Sequence, residues 1–259
     1  MKRKMKIAII GYGKMGHMIE DVARSRGHEI VARIDVGDAF DLKDADVAIE
    51  FTTPATAKDN ILRAWAQGVP VVCGTTGWQP LPPPSPQGRE PRKGEWKIEE
   101  SSNKVIVKDE TGKVMLVWSS NYSVGVNIFF ELNKFLAEQM KNLTPTLSSR
   151  EGEKSEGYTP SIKEIHHIHK LDKPSGTAKT LAEQITNLTS RPLLKRGSQE
   201  REMREGIKVP IESVREGEVP GTHEVTWDSE EDTIVITHIA KGRRGFALGA
   251  VLAAEKIVG

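Results

Sequence analysis

The chain has 259 residues, enough for one large domain or two modest ones, with 37 Lys+Arg against 36 Asp+Glu and a formal net charge of +1. That balance gives no general drive toward nucleic acid or a membrane surface, so neither is expected as a partner. The single cysteine, Cys73, excludes an internal disulfide framework, and without a CxxC or a Cys/His comb no structural zinc is expected.

The basic start MKRKMK leads into only Ile7-Ala8-Ile9-Ile10 before a glycine. A secretory apolar region needs roughly 7–15 residues and a spanning helix about 20, so the expectation is a soluble, cytoplasmic protein. Residues 5–10 read as a short buried strand, Gly11 to Gly16 as a turn and Met15 to Arg26 as a helix that Gly27 ends. A second strand spans Glu29 to Ile34, a third Asp46 to Phe51, a helix Thr56 to Gln67 and a further strand Val69 to Cys73. Strands alternating with helices at this spacing argue for a Rossmann-type, doubly wound parallel sheet in an α/β protein.

The rhythm breaks at residue 79. Gln79 to Glu99 contains PLPPPSP and many charges, which suit neither a packed helix nor a central strand. Val105 to Val107 and Val114 to Trp118 then read as strands of a hairpin around Thr111-Gly112. The stretches 144–157 and 191–206 share with 79–99 a proline-led start and a charged tail, and all three read as surface-loop insertions. Between the last two lie a strand-like segment, Ile162 to Leu171, and a helix from about Ser175 to Leu188. His223 to Trp227 and Thr233 to Ile239 alternate like antiparallel strands, and Gly249 to Val258 is a final apolar helix. The expected division is a dinucleotide-binding domain over 1–122, completed by 240–259. A second, α+β domain for substrate binding and oligomerisation covers 123–239.

Gly11-Tyr12-Gly13-Lys14-Met15-Gly16 is a G-x-G-x-x-G between a strand and a helix. The first glycine permits the tight turn, the second lets backbone amides approach a pyrophosphate, and the third lets helix and strand pack closely. Asp35, nineteen residues past Gly16 at the end of the second strand, can accept hydrogen bonds from ribose hydroxyls. Val36 follows it, not an arginine able to hold a 2′-phosphate. NADH is therefore expected over NADPH, although Arg33 or Lys14 could still reach a phosphate and make NADPH possible.

Glu164-Ile165-His166-His167-Ile168-His169-Lys170 concentrates three histidines, and Lys170-Leu171-Asp172-Lys173-Pro174-Ser175-Gly176-Thr177 then runs into a helix. Were the first segment extended throughout, His167 and His169 would share one face while His166 and Lys170 share the other. The segment offers an acid that titrates near neutrality, a fixed cation, and helix-start N–H donors for a carboxylate. A solvated basic loop is the plain alternative. A metal site is not expected, because no acidic or cysteine partner sits at ligand spacing.

Several segments occur in one family's order: Gly11 to Gly16, Glu50-Phe51-Thr52-Thr53-Pro54, Gly74-Thr75-Thr76-Gly77 and Ser119-Ser120-Asn121-Tyr122-Ser123-Val124-Gly125-Val126-Asn127. With EIHHIHKLDKPSGTA and VPGTHEV, the chain resembles the 4-hydroxy-tetrahydrodipicolinate reductase (dihydrodipicolinate reductase) family of lysine and diaminopimelate biosynthesis. The resemblance covers nearly everything outside the three charged stretches. It implies reduction of a cyclic imine dicarboxylate by NAD(P)H, with Gly11, Tyr12, Gly13, Lys14, Met15, Gly16 and Asp35 on the adenosine side. Phe51, Thr52, Gly74, Thr75 and Thr76 would lie along the nicotinamide half, and Ser119, Ser120, Asn121 and Tyr122 would close the cofactor site. His166 would be the proton donor with Lys170 as its partner, and His167, Lys170, Gly176 and Thr177 would bind the substrate's carboxylates. A homotetramer is the implied assembly.

Two departures stand out. Many family members have G-x-x-G-x-M-G, one residue longer than the loop here. A helix usually follows GTTG, where this chain has proline-rich sequence and a hairpin. A related amino-acid or semialdehyde dehydrogenase would not need Lys170 together with Ser175-Gly176-Thr177, and a non-catalytic dinucleotide sensor would not need His166 and Lys170. Trp65, Trp118 and Trp227 read as core or interface, Cys73 as a buried small hydrophobe, and Lys241 to Gly245 as a solvated turn, where the family resemblance implies that Arg243 could approach the cofactor.

Overall fold

A computed structural model describes residues 3–78, 96–101, 103–144, 157–194, 201–204 and 206–259. The chain divides into two units, Met1–Val124 with Arg243–Gly259, and Gly125–Gly242.

In the first unit, strand β1 (Lys6–Ile10) is apolar on both sides because helices cover both faces of its sheet. Its alternate residues divide accordingly: Ile7 and Ile9 face helices α1 (Lys14–Ser25) and α5 (Arg244–Val258), while Ala8 and Ile10 face α2 (Pro54–Ala66). Strands β2 (Glu29–Ile34), β3 (Val47–Glu50) and β4 (Val71–Cys73) complete the βαβ rhythm that the sequence predicts. Beyond β4 come β5 (Lys97–Ser101), β6 (Lys104–Lys108) and β7 (Val114–Ser119), and the sheet order is β2-β1-β3-β4-β7-β6-β5. The first five strands in that order are parallel, and β6 and β5 extend the edge antiparallel.

The hairpin expected around Thr111-Gly112 is thus β6–β7. The span to Glu99, read as a surface-loop insertion unable to form a packed helix or a central strand, contributes the start of an exposed edge strand, since Lys97 to Ser101 pair along β6. Residues 79–95 lie outside the described residues.

In the second unit, helix α3 (Val124–Met140) fills a stretch to which the sequence reading gives no element. Its buried residues Val126, Phe129, Phe130, Asn133, Ala137 and Met140 recur at three- and four-residue spacing, the stripe of an amphipathic helix. Strand β8 (Thr159–His166) follows, then α4 (Gly176–Thr189), whose N-cap Ser175 accepts a hydrogen bond from the Ala178 amide. The stretch 191–206, expected as a loop, contains an antiparallel pair, β9 (Arg191–Leu194) and β10 (Arg201–Arg204), while 145–156 lies outside the described residues.

Strands β11 (Ile211–Arg215), β12 (Thr222–Asp228) and β13 (Thr233–Ile239) build a four-stranded mixed sheet ordered β11-β8-β12-β13. One face buries Ile162, Val225 and Trp227 against α3 and α4. The final helix α5 (Arg244–Val258) starts five residues before its predicted onset, drawing Arg244 and Gly245 out of the expected turn. No helix among the described residues is long and apolar enough to cross a membrane.

Candidate active site

The first unit gathers its candidate residues at the carboxyl ends of the parallel strands, where doubly wound sheets bind ligands. Gly11 follows β1 at φ 91°, and a Cβ there would stand 2.1 Å from the Phe51 carbonyl oxygen. A Cβ on Gly16 would stand 2.5 Å from the Gly11 oxygen, so both glycines serve the close packing of turn and helix. Gly13 differs, because a Cβ on it would meet nothing within 4 Å. It is also the N-cap of α1, without a side-chain cap or an acidic residue in the first turn. This open, uncapped helix start beside Lys14 fits a pyrophosphate.

Asp35, at the end of β2, is exposed and accepts a hydrogen bond from the Val36 amide at 2.9 Å. Arg33 is already committed: its Nε donates to Glu20 Oε2 at 2.6 Å, and its guanidinium lies 5.6 Å from the Tyr12 ring centre. The Arg33 guanidinium, against partial burial, holds the Glu20 carboxyl down at about 2. Tyr12 donates its hydroxyl to the same carboxylate.

At the ends of β3 and β4 a wholly buried carboxylate, Glu50, ties two loops together. Cys73 Sγ and Thr75 Oγ1 donate to its Oε2 at 2.9 and 2.8 Å, and Thr52 Oγ1 donates to Oε1. Thr75 Oγ1 in turn accepts from the Thr52 amide at 2.8 Å. Burial pushes the Cys73 thiol far above its ordinary range, in keeping with an inert hydrophobe. The Phe51 ring lies where a Gly74 side chain would be, 2.1 Å from the position of a Cβ. Thr76 is exposed.

After β7, Ser119 Oγ donates to the Asn103 and Asn121 carbonyls at 3.0 Å, and the Ser120 amide donates to Asn103. The Tyr122 hydroxyl is spent on the Val117 and Cys73 carbonyls at 2.7 and 3.1 Å. These residues shape the sheet's end. The exposed Arg243 is the N-cap of α5.

In the second unit, period-two alternation along β8 turns Ile162, Glu164 and His166 to the same buried face. Register does the rest: Glu164 pairs with His223 on β12, and Arg215 on β11 pairs with His166. Glu164 has no exposed surface. Its Oε1 accepts from the Ser175 amide at 3.0 Å and lies 3.4 Å from Arg215 Nη2, while Oε2 lies 3.4 Å from His166 Nδ1 and 3.7 Å from His223 Nε2. His223 Nε2 also meets Ser175 Oγ at 3.2 Å. Burial alone would raise the Glu164 carboxyl, but His223 and Ser175 hold it well below the usual carboxylate range. Burial and the neighbouring His223, opposed by Glu164, push His166 down to about 4, so its imidazole is neutral near neutral pH.

The extended segment expected through Leu171 stops at His166, where the His166 carbonyl accepts from Glu216 and the chain turns, Lys170 N–H donating to the His167 carbonyl. The two-face arrangement of His167 and His169 against His166 and Lys170 is therefore not realised. His169, exposed, pairs with Glu218 at 3.0 Å. Lys170 Nζ lies 2.7 Å from Asp172 Oδ1, and Gly176 opens α4 with space where its Cβ would be and Thr177 beside it.

Sequence reasoning did not single out Glu50, Glu164, Arg215 or His223. Glu164 carries a signal, two residues before His166 in a strand. Arg215 carries none, because only the β8–β11 register brings it there. The sequence argument against a metal ion was the lack of an acidic partner, and the fold supplies one: ligand atoms of Glu164, His166 and His223 lie within 4.8 Å of one another.

The profile of dihydrodipicolinate reductase, N-terminus, matches residues 5–82, and that of its C-terminus matches residues 125–259. The 4-hydroxy-tetrahydrodipicolinate reductase of Christiangramia forsetii is 42% identical over 97% of this chain and 91% of its own length. The enzyme of that name from Ralstonia nicotianae is 31% identical over 98% and 95%. The dipicolinate-bound dihydrodipicolinate reductase of Paenisporosarcina sp. TG-14 shares the fold, with a TM-score of 0.67, 21% identity, and 99% of this chain and 95% of that one covered. Fold and site thus define a nicotinamide-dependent oxidoreductase acting on a small molecule. The chain belongs to the dihydrodipicolinate reductase family.

Two predictions follow from this geometry. Gly13→Ala should leave the urea midpoint unchanged yet raise the Kd for NADH at least tenfold, about 1.4 kcal/mol. Gly11→Ala, at positive φ and against the Phe51 carbonyl, should lower the midpoint itself. The second concerns acid. His166 binds its proton more weakly folded, at about 4, than at its ordinary 6.5, so the unfolded chain holds more protons between those values. Stability is therefore lost as the pH falls through that window, by at most about 1.4 kcal/mol per pH unit for this proton. In urea titrations across that range, His166→Gln should flatten the slope.

Proposed function

We propose that this chain reduces 4-hydroxy-tetrahydrodipicolinate to tetrahydrodipicolinate, consuming NAD(P)H and a proton and releasing water, in lysine and diaminopimelate biosynthesis. The observation that carries this reading is the meeting of His166, Lys170 and the start of α4 at one end of the second unit's sheet. A bound reduced nicotinamide supplies a hydride to the unsaturated ring. Lys170, His167 and the first-turn backbone of α4 at Gly176 and Thr177 take the substrate's carboxylates, one of which displaces Asp172 from Lys170.

His166 rests neutral. The arriving negative charge favours its protonated form, which donates a proton to the electron-rich carbon that hydride addition leaves. The protein thus confines the acid to the moment when an anion is bound.

The preferred cofactor is NADH. Asp35 is exposed for the ribose hydroxyls, Val36 offers no charge, and Arg33 is held by Glu20 instead of facing a 2′-phosphate. The second sheet leaves Val235 and Ile239 48% and 65% exposed, which suits burial against further copies in a homo-oligomer, a tetramer by family likeness. The reading places the enzyme in the cytoplasm and assigns it no nucleic-acid or membrane partner and no resident metal.

The test is loss of NADH absorbance with the condensation product of pyruvate and aspartate semialdehyde made in situ. Wild type should turn over, and Lys170→Ala should lose at least about a hundredfold in kcat while its Kd for NADH stays within twofold. An equal loss of both, or no turnover by wild type, would sink the assignment. Asp35→Ala should weaken NADH more than NADPH, and an unchanged ratio of the two kcat/KM values would refute the ribose contact.

A further inference from the structure

We propose that Glu164 is the positioning residue of this site, a buried carboxylate that holds the proton donor, the start of α4 and the loop 170–172 in one arrangement. The inference deepens the reductase reading and rests on it. Its observations are geometric. Oε1 receives the Ser175 amide at 3.0 Å, which sets where α4 begins and so where the Gly176 and Thr177 amides lie. The same oxygen lies 3.5 and 3.4 Å from Arg215 Nη1 and Nη2. Arg215 carries the link outward, donating from Nε to the Lys170 carbonyl at 3.2 Å and from Nη2 to the Asp172 carbonyl. Oε2 faces His166 Nδ1 at 3.4 Å and His223 Nε2 at 3.7 Å, and Ser213, opposite Glu164 on β11, also helps to hold the carboxylate ionised.

A wholly buried carboxylate is costly unless its lone pairs meet donors, and beside the Ser175 and Ser213 hydroxyls it is the two imidazoles that face the second oxygen. The arrangement therefore places the proton of neutral His166 on Nδ1, pointing at Glu164, and leaves Nε2 as the atom that gains and gives the catalytic proton. Nε2 lies on the side of Gly221, where φ is 150° and a Cβ would come within 3.1 Å of it. The lack of a side chain at Gly221 keeps that approach to Nε2 clear. The groups that set the charge around His166 are Glu164 on β8, His223 on β12, Arg215 on β11 and Lys170 in the following turn. Glu164 is the only acid among them, so its removal shifts the balance against a protonated imidazole.

The experiment uses the full-length protein labelled with 15N at histidine, with wild type beside Glu164→Gln, Glu164→Asp and Arg215→Lys. Imidazole 15N shifts read the His166 tautomer without requiring turnover, so the positioning role and the reductase reading can fail separately. In wild type the Nδ1–H tautomer should dominate, and in Glu164→Gln it should lose that dominance. Glu164→Gln should also lose at least tenfold in kcat, with the alkaline limb of the kcat profile moved to lower pH and the Kd for NADH within twofold. Glu164→Asp should recover part of both. Arg215→Lys, which cannot fork to two carbonyls, should raise the KM for the dicarboxylate several-fold with the pH profile unmoved.

Two results would overturn the proposal. One is a Glu164→Gln protein with wild-type tautomer and pH profile, whether or not its kcat falls. The other, should that variant not fold, is an Arg215→Lys protein with unchanged KM. Failure of wild type to turn over, with the tautomer shift present, would leave Glu164 as organiser of a site for a different anionic substrate.

Discussion

A carboxylate with no contact with water has to be surrounded by donors, and in the second unit that demand falls on Glu164. Its neighbours come from three strands and one helix start: His166 beside it on β8, His223 across on β12, Arg215 on β11 and the Ser175 amide at the head of α4. Removing one partner of such a buried group leaves an uncompensated charge, which costs about 3–5 kcal/mol, so the set holds together or not at all. Because the proposed proton donor and the proposed anion-binding backbone are among its members, the condition that keeps the charge tolerable also keeps them aligned.

The first unit solves its own problem in a related way. Glu50 is wholly buried at the carboxyl end of β3, but its partners are a thiol and two threonine hydroxyls, not cations. Those hydroxyls belong to the loops after β3 and β4, so the carboxylate fixes the segments assigned to the nicotinamide side. The three glycines of the first loop divide the work differently from one another. Gly11 and Gly16 allow backbone to approach backbone, whereas Gly13 faces open space at the uncapped start of α1.

Much of this is legible in the amino-acid sequence. The strand–glycine loop–helix start, Asp35 at the end of β2 and the parallel alternation through Cys73 are local patterns, and local patterns survive folding. What escaped was of two kinds. Helix α3 was written in the spacing of Val126, Phe129, Phe130, Asn133 and Ala137, a period that the surrounding strands obscured. Arg215 and His223 could not be read, since their approach to Glu164 follows from strand register, a long-range property. The end of β8 at His166 is of the same kind: Glu216 and Gly217 take up the His166 carbonyl and the Ile168 amide and turn the chain. The edge strand at Lys97 to Ser101 and the β9–β10 pair show that charged, proline-rich sequence can still form ladders at the margins of a fold.

The central claim is that a neutral, buried His166 becomes an acid only when a dicarboxylate arrives. Calorimetric titration of pyridine-2,6-dicarboxylate into the NADH-saturated protein, in buffers of different ionisation enthalpy at neutral pH, measures proton uptake on binding. The account predicts uptake approaching one proton in wild type and a clear reduction in His166→Gln. Binding with no uptake in wild type, or equal uptake in both proteins, would contradict it.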